Sequence, residues 1–350
     1  MHKETILVGK KKVGPGQPCF IIAEAGVNHN GDMKLAKELA LVAKQAGADV
    51  VKFQTFNPDK LVTKKAGKAE YQKETTDAAE SQLAMLKKLA LGEKDFEELK
   101  RYCDKIGIMF LSTPFDSESV TIVNKLCPII KISSTDTNNY PFIEQIARLG
   151  KPIMLSTGMS TMDEVKKAVE AIRKTGNDKI ILLQCISSYP TPLEYANVAA
   201  MLELRKADVE IVGYSDHTVG NFAIFTAVAL GANVVEKHFT LDKNMEGPDH
   251  KASADPKELE ELIKGIRSIE KALGSGIKAP VKCEMENIPI VRKRLVAAVD
   301  IKNGHVITRE MVEIKRSKNG AEPGQLNEVI GKKATRDISI DEGIEKEDVK

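Results

Sequence analysis

The stretch PIMLSTGMSTMDEVKKAVEAIRKTGNDKIILLQ, residues 152–184, contains one whole folding unit. Two short apolar runs, PIMLS (152–156) and IILLQ (180–184), each end on a polar residue. They enclose MDEVKKAVEAIRKTG (162–176), whose apolar residues recur three and four apart, as on one face of a helix. The closing Gly176 stands where a left-handed helix cap is expected. Strand, helix and strand in this order predict two parallel strands joined by a right-handed crossover.

Outward from this unit the pattern repeats. Before it come FIIAE (20–24), VVKFQ (50–54), IMFLS (108–112) and IIKIS (129–133), and after it EIVGYS (210–215) and VVEKH (234–238), with helical stretches such as LAKELALVAKQAG (35–47) between. Eight such strands in roughly 250 residues match the size of a (β/α)8 TIM barrel. A doubly wound open sheet has the same alternation, but no G-x-G-x-x-G follows the first strand, which counts against its dinucleotide-binding version. The rhythm is interrupted at 57–81 by a segment rich in lysine (Lys60, Lys64, Lys65, Lys68, Lys73) and containing Ala69, Glu70, Tyr71 and Gln72. It reads equally as a lid over the mouth or as a solvated loop. After Leu273 the text changes: residues 1–273 are assigned to the barrel, 274–290 to a linker and 291–350 to a small β-rich domain. A domain of that size is marginal alone, so it is expected to dock on something larger.

Composition narrows the function. Of 350 residues, Lys and Arg number 52 and Asp and Glu 50, a formal charge of +2, with 42% apolar residues. That balance lacks the footprint of a nucleic-acid or anionic-membrane binder, and Lys10, Lys11 and Lys12 are too few to change it. The first residues show no signal-peptide pattern and no run of eighteen apolar residues occurs, so a cytoplasmic protein without membrane contact is expected. The five cysteines are widely spaced with no C-x-x-C pair, as for reduced thiols without structural zinc.

Chemistry is written at the strand ends, which in a parallel barrel form the functional face. Polar residues stand there almost throughout: Glu24, Lys52 and Gln54, Ser112 and Thr113, Lys131 and Ser133, Ser156 and Thr157, Gln184, Ser215 to His217, Glu236 and His238. Residues two apart share a strand face, which pairs Lys52 with Gln54, Lys131 with Ser133 and Glu236 with His238. Two inward lysines imply an anionic ligand, the alternative being structural ion pairs with Glu24 or Glu236. Hydroxyls at Ser133, Ser134, Ser156, Thr157, Ser187, Ser188 and Ser215 lie at turns into helices, where phosphate is held, although each alone is an ordinary helix cap. His217 and His238 end neighbouring strands, near Asp216, Glu236, Asp249 and His250. Their imidazoles could meet at one divalent ion with open positions, which favours Mn²⁺ or Mg²⁺ as a Lewis acid over structural zinc.

The phrases FIIAEAGVNHNGD, VVKFQTF, AEYQ, KISSTD, LSTGMST, QCISSYPTP, GYSDHT, VEKHFT and NMEGPDHKAS together resemble the sialic acid synthase family, and the tail from Lys293 to Asp348 resembles its antifreeze-like (SAF) domain. The resemblance implies a C–C bond-forming transferase. It would condense phosphoenolpyruvate with an open-chain N-acetylated hexosamine, such as N-acetylmannosamine, and water, giving N-acetylneuraminate and phosphate. It implies phosphoenolpyruvate contacts at Lys52, Thr113, Lys131, Ser134, Ser156, Ser187 and Ser215, and sugar contacts at Gln54, Tyr71, Tyr189, Asp249 and Arg316. A divalent metal is implied on His217 and His238, Mn²⁺ first with Mg²⁺ or Co²⁺ as alternatives, and Glu24 and Asp136 are the candidates for handling water and its proton. Two departures stand out: Thr135 precedes Asp136 where the family usually has Gly, and Ser187 stands where some members have Asn. Arg316 would reach the sugar across a domain-swapped homodimer. Four alternatives stay open: a legionaminic or pseudaminic acid synthase, a 9-phosphate synthase acting on a phosphorylated sugar, a related barrel aldolase or sugar-acid synthase with a shorter sugar, and, from another class, a non-catalytic carbohydrate- or ice-binding protein.

Overall fold

The computed structural model describes residues 5–350, which divide after Gly274 into two compact units. The first opens with an antiparallel hairpin, β1 (Ile6–Val8) and β2 (Lys11–Val13), whose Val8 and Val13 join the hydrophobic core of the unit. Eight parallel strands follow: β3 (Phe20–Gly26), β4 (Val50–Thr55), β5 (Met109–Pro114), β6 (Ile130–Ile132), β7 (Ile153–Ser156), β8 (Ile180–Cys185), β9 (Ile211–Asp216) and β10 (Val234–His238). Each falls on one of the eight apolar runs.

The sheet order β5-β4-β3-β10-β9-β8-β7-β6 is a ring. β10 hydrogen-bonds back onto β3 with Val234 opposite Phe20 and His238 opposite Glu24. The two ends of the order, β5 and β6, are consecutive in the chain and lie side by side. The unit is therefore a (β/α)8 barrel and the open-sheet alternative falls away, because an open sheet has no ladder from its eighth strand to its first. Inside the sheet, a Cβ on Gly213 would stand 2.1 Å from the Val234 carbonyl oxygen. Only glycine lets β9 approach β10 there.

The helices form where periodicity and caps agree. Met33–Ala46 is capped by Asp32, which accepts from the Lys34 amide, and ends at Gly47 with φ 90°; it buries Ala36, Leu39, Ala40 and Ala43. Met162–Arg173 begins with a reciprocal box between Thr161 and Glu164 and buries Val165, Ala168, Val169 and Ile172. The 57–81 segment contains two short helices, Pro58–Leu61 and Glu70–Thr75. Its anchor is Lys68, a buried ammonium that donates to Thr76 Oγ1 (2.8 Å), the Asp77 carbonyl (2.7 Å) and Glu80 (3.1 Å). Among the described residues no helix is long and apolar enough to cross a membrane.

The second unit, from Ser275 on, has its own core of Leu295, Ala297, Ile301, Ile307, Val312, Val329, Ile338 and Ile344. Its antiparallel pair is β11 (Lys293–Ala297) and β12 (Val312–Arg316). Arg336 ties the chain end to it, donating to both carboxylate oxygens of Asp348 and to Glu342.

Candidate active site

The carboxyl ends of the barrel strands open into a cavity of about 510 Å³. Strand geometry decides what faces it. Lys52 and Gln54, Lys131 and Ser133, Ser215 and His217, Glu236 and His238 are pairs two apart, and all eight side chains line the cavity. The residues between them face outward: Lys237 donates to Asp216 (2.6 Å) and to the carbonyls of Thr218 and Gly220 (2.5 and 2.9 Å). This corrects the expectation that Asp216 accompanies the histidines, since its carboxylate is taken by Lys237 and the Thr218 amide.

At the floor lie two lysines and two carboxylates, all buried. Lys52 Nζ is 2.7 Å from Glu24 and 3.7 Å from Glu236 and donates to Thr113 Oγ1 at 3.0 Å. Lys131 Nζ is 3.8 Å from Glu236 and donates to Ser156 Oγ at 2.7 Å, while Ser215 Oγ donates to Glu236 at 3.1 Å. The ion-pair and ligand readings of the lysines thus describe one arrangement, pairs that face an open cavity. Burial raises the Glu24 pKa to about 7, against the pull of Lys52, so this carboxyl takes up a proton near neutrality. Burial acts on Glu236 in the same sense, but Lys131 and Lys52 outweigh it and hold that carboxylate ionised. Burial also lowers the pKa of Lys131.

Beside the floor, Ser134, Ser156 and Ser187 line the cavity around the Thr157–Gly158 turn. The Gly158 amide donates to Ser134 Oγ at 3.0 Å, and a Cβ there would sit 2.4 Å from Ser187 Oγ. Glycine keeps this cluster of hydroxyls compact.

The two imidazoles meet at the rim with ring centroids 5.3 Å apart. His217 Nδ1 lies 2.6 Å from the Ile186 carbonyl, to which it donates, so in its neutral form the ring carries its lone pair on Nε2; burial pulls its pKa down, but Cys185 and this carbonyl outweigh it and raise it. His238 Nδ1 is buried without a hydrogen-bond partner, 4.0 Å from Asp249 Oδ2. Burial holds its pKa well below 6.5, so the ring is neutral, the form that binds metal. Among the described residues no group of three or more His, Cys, Asp or Glu has the spacing of a metal site. The donors fit a divalent ion on two imidazole nitrogens with its other positions left to water and substrate. Above them, Tyr189 packs on His217 (4.1 Å between centroids) and Tyr71 of the 57–81 segment stacks on Tyr189 (5.2 Å). Gln54 Nε2 donates to Glu24 at 3.2 Å.

One expected site residue stands elsewhere in the barrel unit. Asp136 does not line the cavity: it sits in the turn after β6, where its carboxylate accepts from Asn139 Nδ2 (3.0 Å) and Thr135 Oγ1 (3.3 Å), and the turn presents Ser133, Ser134 and Thr135 instead. Arg316 belongs to the second unit, exposed at the end of β12 opposite Lys293.

Other contributors act through pairings that the sequence does not announce. Asn30 donates to the Glu246 carbonyl (2.9 Å) and accepts from His250 Nε2 (3.1 Å), while His250 Nδ1 meets Thr240 Oγ1 at 2.6 Å. Asn28 donates to Ser253 Oγ, which donates to the Asp249 carbonyl at 2.7 Å. These bonds tie the segment after β10 to the turn after β3 and so fix where Asp249 stands. His250→Phe would leave both Asn30 and Thr240 without this partner. The expected loss is about 2–4 kcal/mol of stability, read as a lower denaturant midpoint at unchanged slope.

Comparison with known proteins gives consistent matches. The NeuB family model matches residues 39–278 and the SAF domain model residues 292–350. The N,N'-diacetyllegionaminic acid synthase of Campylobacter jejuni is 49% identical over 326 residues, 92% of this chain and 98% of that one. The human N-acetylneuraminate-9-phosphate synthase is 36% identical over 350 residues, covering 99% and 97%. Among solved structures, a sialic acid synthetase from Leptospira borgpetersenii in complex with citrate superposes with a TM-score of 0.74 at 35% identity, over 82% of this chain and 97% of that one.

Proposed function

The chain belongs to the NeuB family, and from that premise we propose that it joins phosphoenolpyruvate to the open-chain aldehyde of an N-acetylated hexosamine, releasing phosphate and a nine-carbon 2-keto sugar acid. The observation that supports this reading best is the convergence on one cavity of two buried lysines, a hydroxyl cluster and two imidazoles. Lys52 and Lys131, with Thr113, Ser134, Ser156, Ser187 and Ser215, hold the carboxylate and phosphate of phosphoenolpyruvate. Gln54, Tyr71, Tyr189 and Asp249 face the sugar.

His217 and His238 would hold a divalent ion, Mn²⁺ first, which when bound stabilises the negative charge developing on the aldehyde oxygen. The C3 carbon of the enol forms the new bond to the aldehyde carbon, water adds at C2, and phosphate leaves from the tetrahedral adduct. Glu24 is the group placed to accept and return the proton of that water, because burial brings its pKa to about 7. Asp136 is left without that role by its place outside the cavity. Arg316 and a domain-swapped dimer remain part of the proposal on resemblance alone.

For the sugar, 49% identity to the diacetyllegionaminic acid synthase against 36% to the N-acetylneuraminate-9-phosphate synthase favours a diacetamido hexose over N-acetylmannosamine and its 6-phosphate. The test is phosphate release from phosphoenolpyruvate with Mn²⁺ and each sugar, with product masses read from the same tubes. Release that requires a sugar and stops in EDTA is expected. Release unaffected by EDTA would sink the metal assignment, and no release with any sugar would return the chain to a binding role.

A further inference from the structure

The ladder between β9 and β10 stops one residue short of the two imidazoles. Its last paired position sets Lys237 opposite Asp216, and His217 and His238 follow immediately, beyond the reach of that pairing. At the end of the ladder, on the side of the sheet that faces away from the cavity, stands a buried ion pair, with Asp216 1% and Lys237 3% exposed. An ammonium has three N–H groups, and Lys237 uses all of them, on Asp216 Oδ2 (2.6 Å) and on the carbonyls of Thr218 (2.5 Å) and Gly220 (2.9 Å). Asp216 in turn accepts from the Thr218 amide at 2.9 Å and from Thr218 Oγ1 at 3.2 Å. One side chain, belonging to the residue before His238, therefore grips both the residue before His217 and the residue after it. Each histidine is also tied on its other flank, His217 through its carbonyl to the Thr191 amide (2.8 Å) and His238 by pairing with Glu24 of β3. The bonds of Lys237 are what join the two strands to each other past the end of their ladder.

Well-packed apolar side chains of similar volume often serve stability as well as a buried ion pair does, because the attraction between two charges repays their desolvation only in part. What a fully bonded ammonium adds is direction: three acceptors fix where its nitrogen stands, and with it the spacing of the strand ends. Resting on the divalent ion proposed for His217 and His238, we infer that Lys237 and Asp216 are a positioning pair that holds the two imidazoles, with ring centroids 5.3 Å apart, in the arrangement one ion requires. Neither residue lines the cavity, so neither touches the ion or a substrate. Ser215 and Glu236, at the anion end of the cavity, lie inside the ladder and keep their spacing through backbone bonds. The pair therefore acts on metal affinity and leaves the anion end as it is.

The experiment uses the full-length, metal-stripped protein and reads Mn²⁺ binding directly, from the electron paramagnetic resonance signal of the free ion, with titration calorimetry of phosphoenolpyruvate beside it. The main variant combines Lys237→Met with Asp216→Asn, which leaves neither charge buried alone. Asp216→Asn by itself serves where the double variant does not fold. Mn²⁺ binding weaker by about 10- to 100-fold is expected, as for other changes behind metal-bound histidines, with phosphoenolpyruvate affinity close to that of the wild type. Arg267→Met is the control for lost stability alone, because Arg267 bonds Asp49, Glu270 and the Cys19 carbonyl at the amino ends of β3 and β4, the far end of the barrel. It should lower the denaturant midpoint and still bind Mn²⁺ as the wild type does. Unchanged Mn²⁺ affinity in the folded double variant, an equal loss of affinity in the Arg267→Met control, or an equal loss of both ligands would overturn the inference while the metal assignment stood. If His238→Ala bound Mn²⁺ as tightly as the wild type, the ion would not be on the histidines, and the metal assignment would fall and the inference with it.

Discussion

Replacing His238 by alanine is expected to slow sugar-dependent phosphate release by about 10³-fold, with His217→Ala causing a similar loss. The size follows from the several kcal/mol that a bound divalent ion contributes to an alkoxide-like transition state, at about 1.4 kcal/mol per factor of ten. Because both imidazoles would hold the same ion, the double variant should be little worse than either single one. Phosphoenolpyruvate binding, followed by titration calorimetry, should persist, since the lysines stand on β4 and β6 rather than on the histidine strands. A loss below ten-fold, or a double variant much worse than each single one, would take the metal off these residues.

The second large effect concerns stability. Lys52 is buried between Glu24 at 2.7 Å and Glu236 at 3.7 Å, so Lys52→Met leaves two carboxylates facing each other with only Lys131 near. Breaking a buried pair from one side costs about 3–5 kcal/mol, because the remaining charge stays desolvated. Adding Glu24→Gln removes the orphaned charge, and the double variant should regain most of the loss. Denaturant midpoints of the wild type, both single variants and the double variant give the coupling directly. If the double variant were as unstable as the sum of the single ones, the pair would not be coupled.

Much of this architecture is visible in the sequence because barrel strands obey a period of two. VVKFQ and VVEKH each place two polar residues on one face, and Lys52, Gln54, Glu236 and His238 all reach the cavity. The same rule puts Asp216 outside, between the inward Ser215 and His217, where it meets Lys237. Position along a strand cannot place Asp136, which lies in a turn where side-chain bonds to Asn139 and Thr135 decide the direction of the carboxylate. Nor does helical periodicity separate a cavity wall from a core: in QLAMLKKL, Met85 and Leu89 are buried, and Leu86, one residue on, is half-exposed to the cavity. The Asn30–His250 clasp joins residues 220 apart in sequence, and nothing in either local stretch announces the other.

The ring of strands has one join of a different kind. Every neighbouring pair in the sheet order shares a hydrogen-bonded ladder, but β5 and β6, though adjacent, share none among the described residues. A hoop fastened by backbone bonds all round except at one place yields there first. In hydrogen-exchange terms, the edge amides of β5 and β6 are expected to form the least protected line of the barrel. Thr113 stands on one side of that line and Lys131 on the other, so a small anion gripped by both would act as the missing fastener. Occupancy of the site would then be felt as stiffness along one stave of the barrel, far more than as a change of shape.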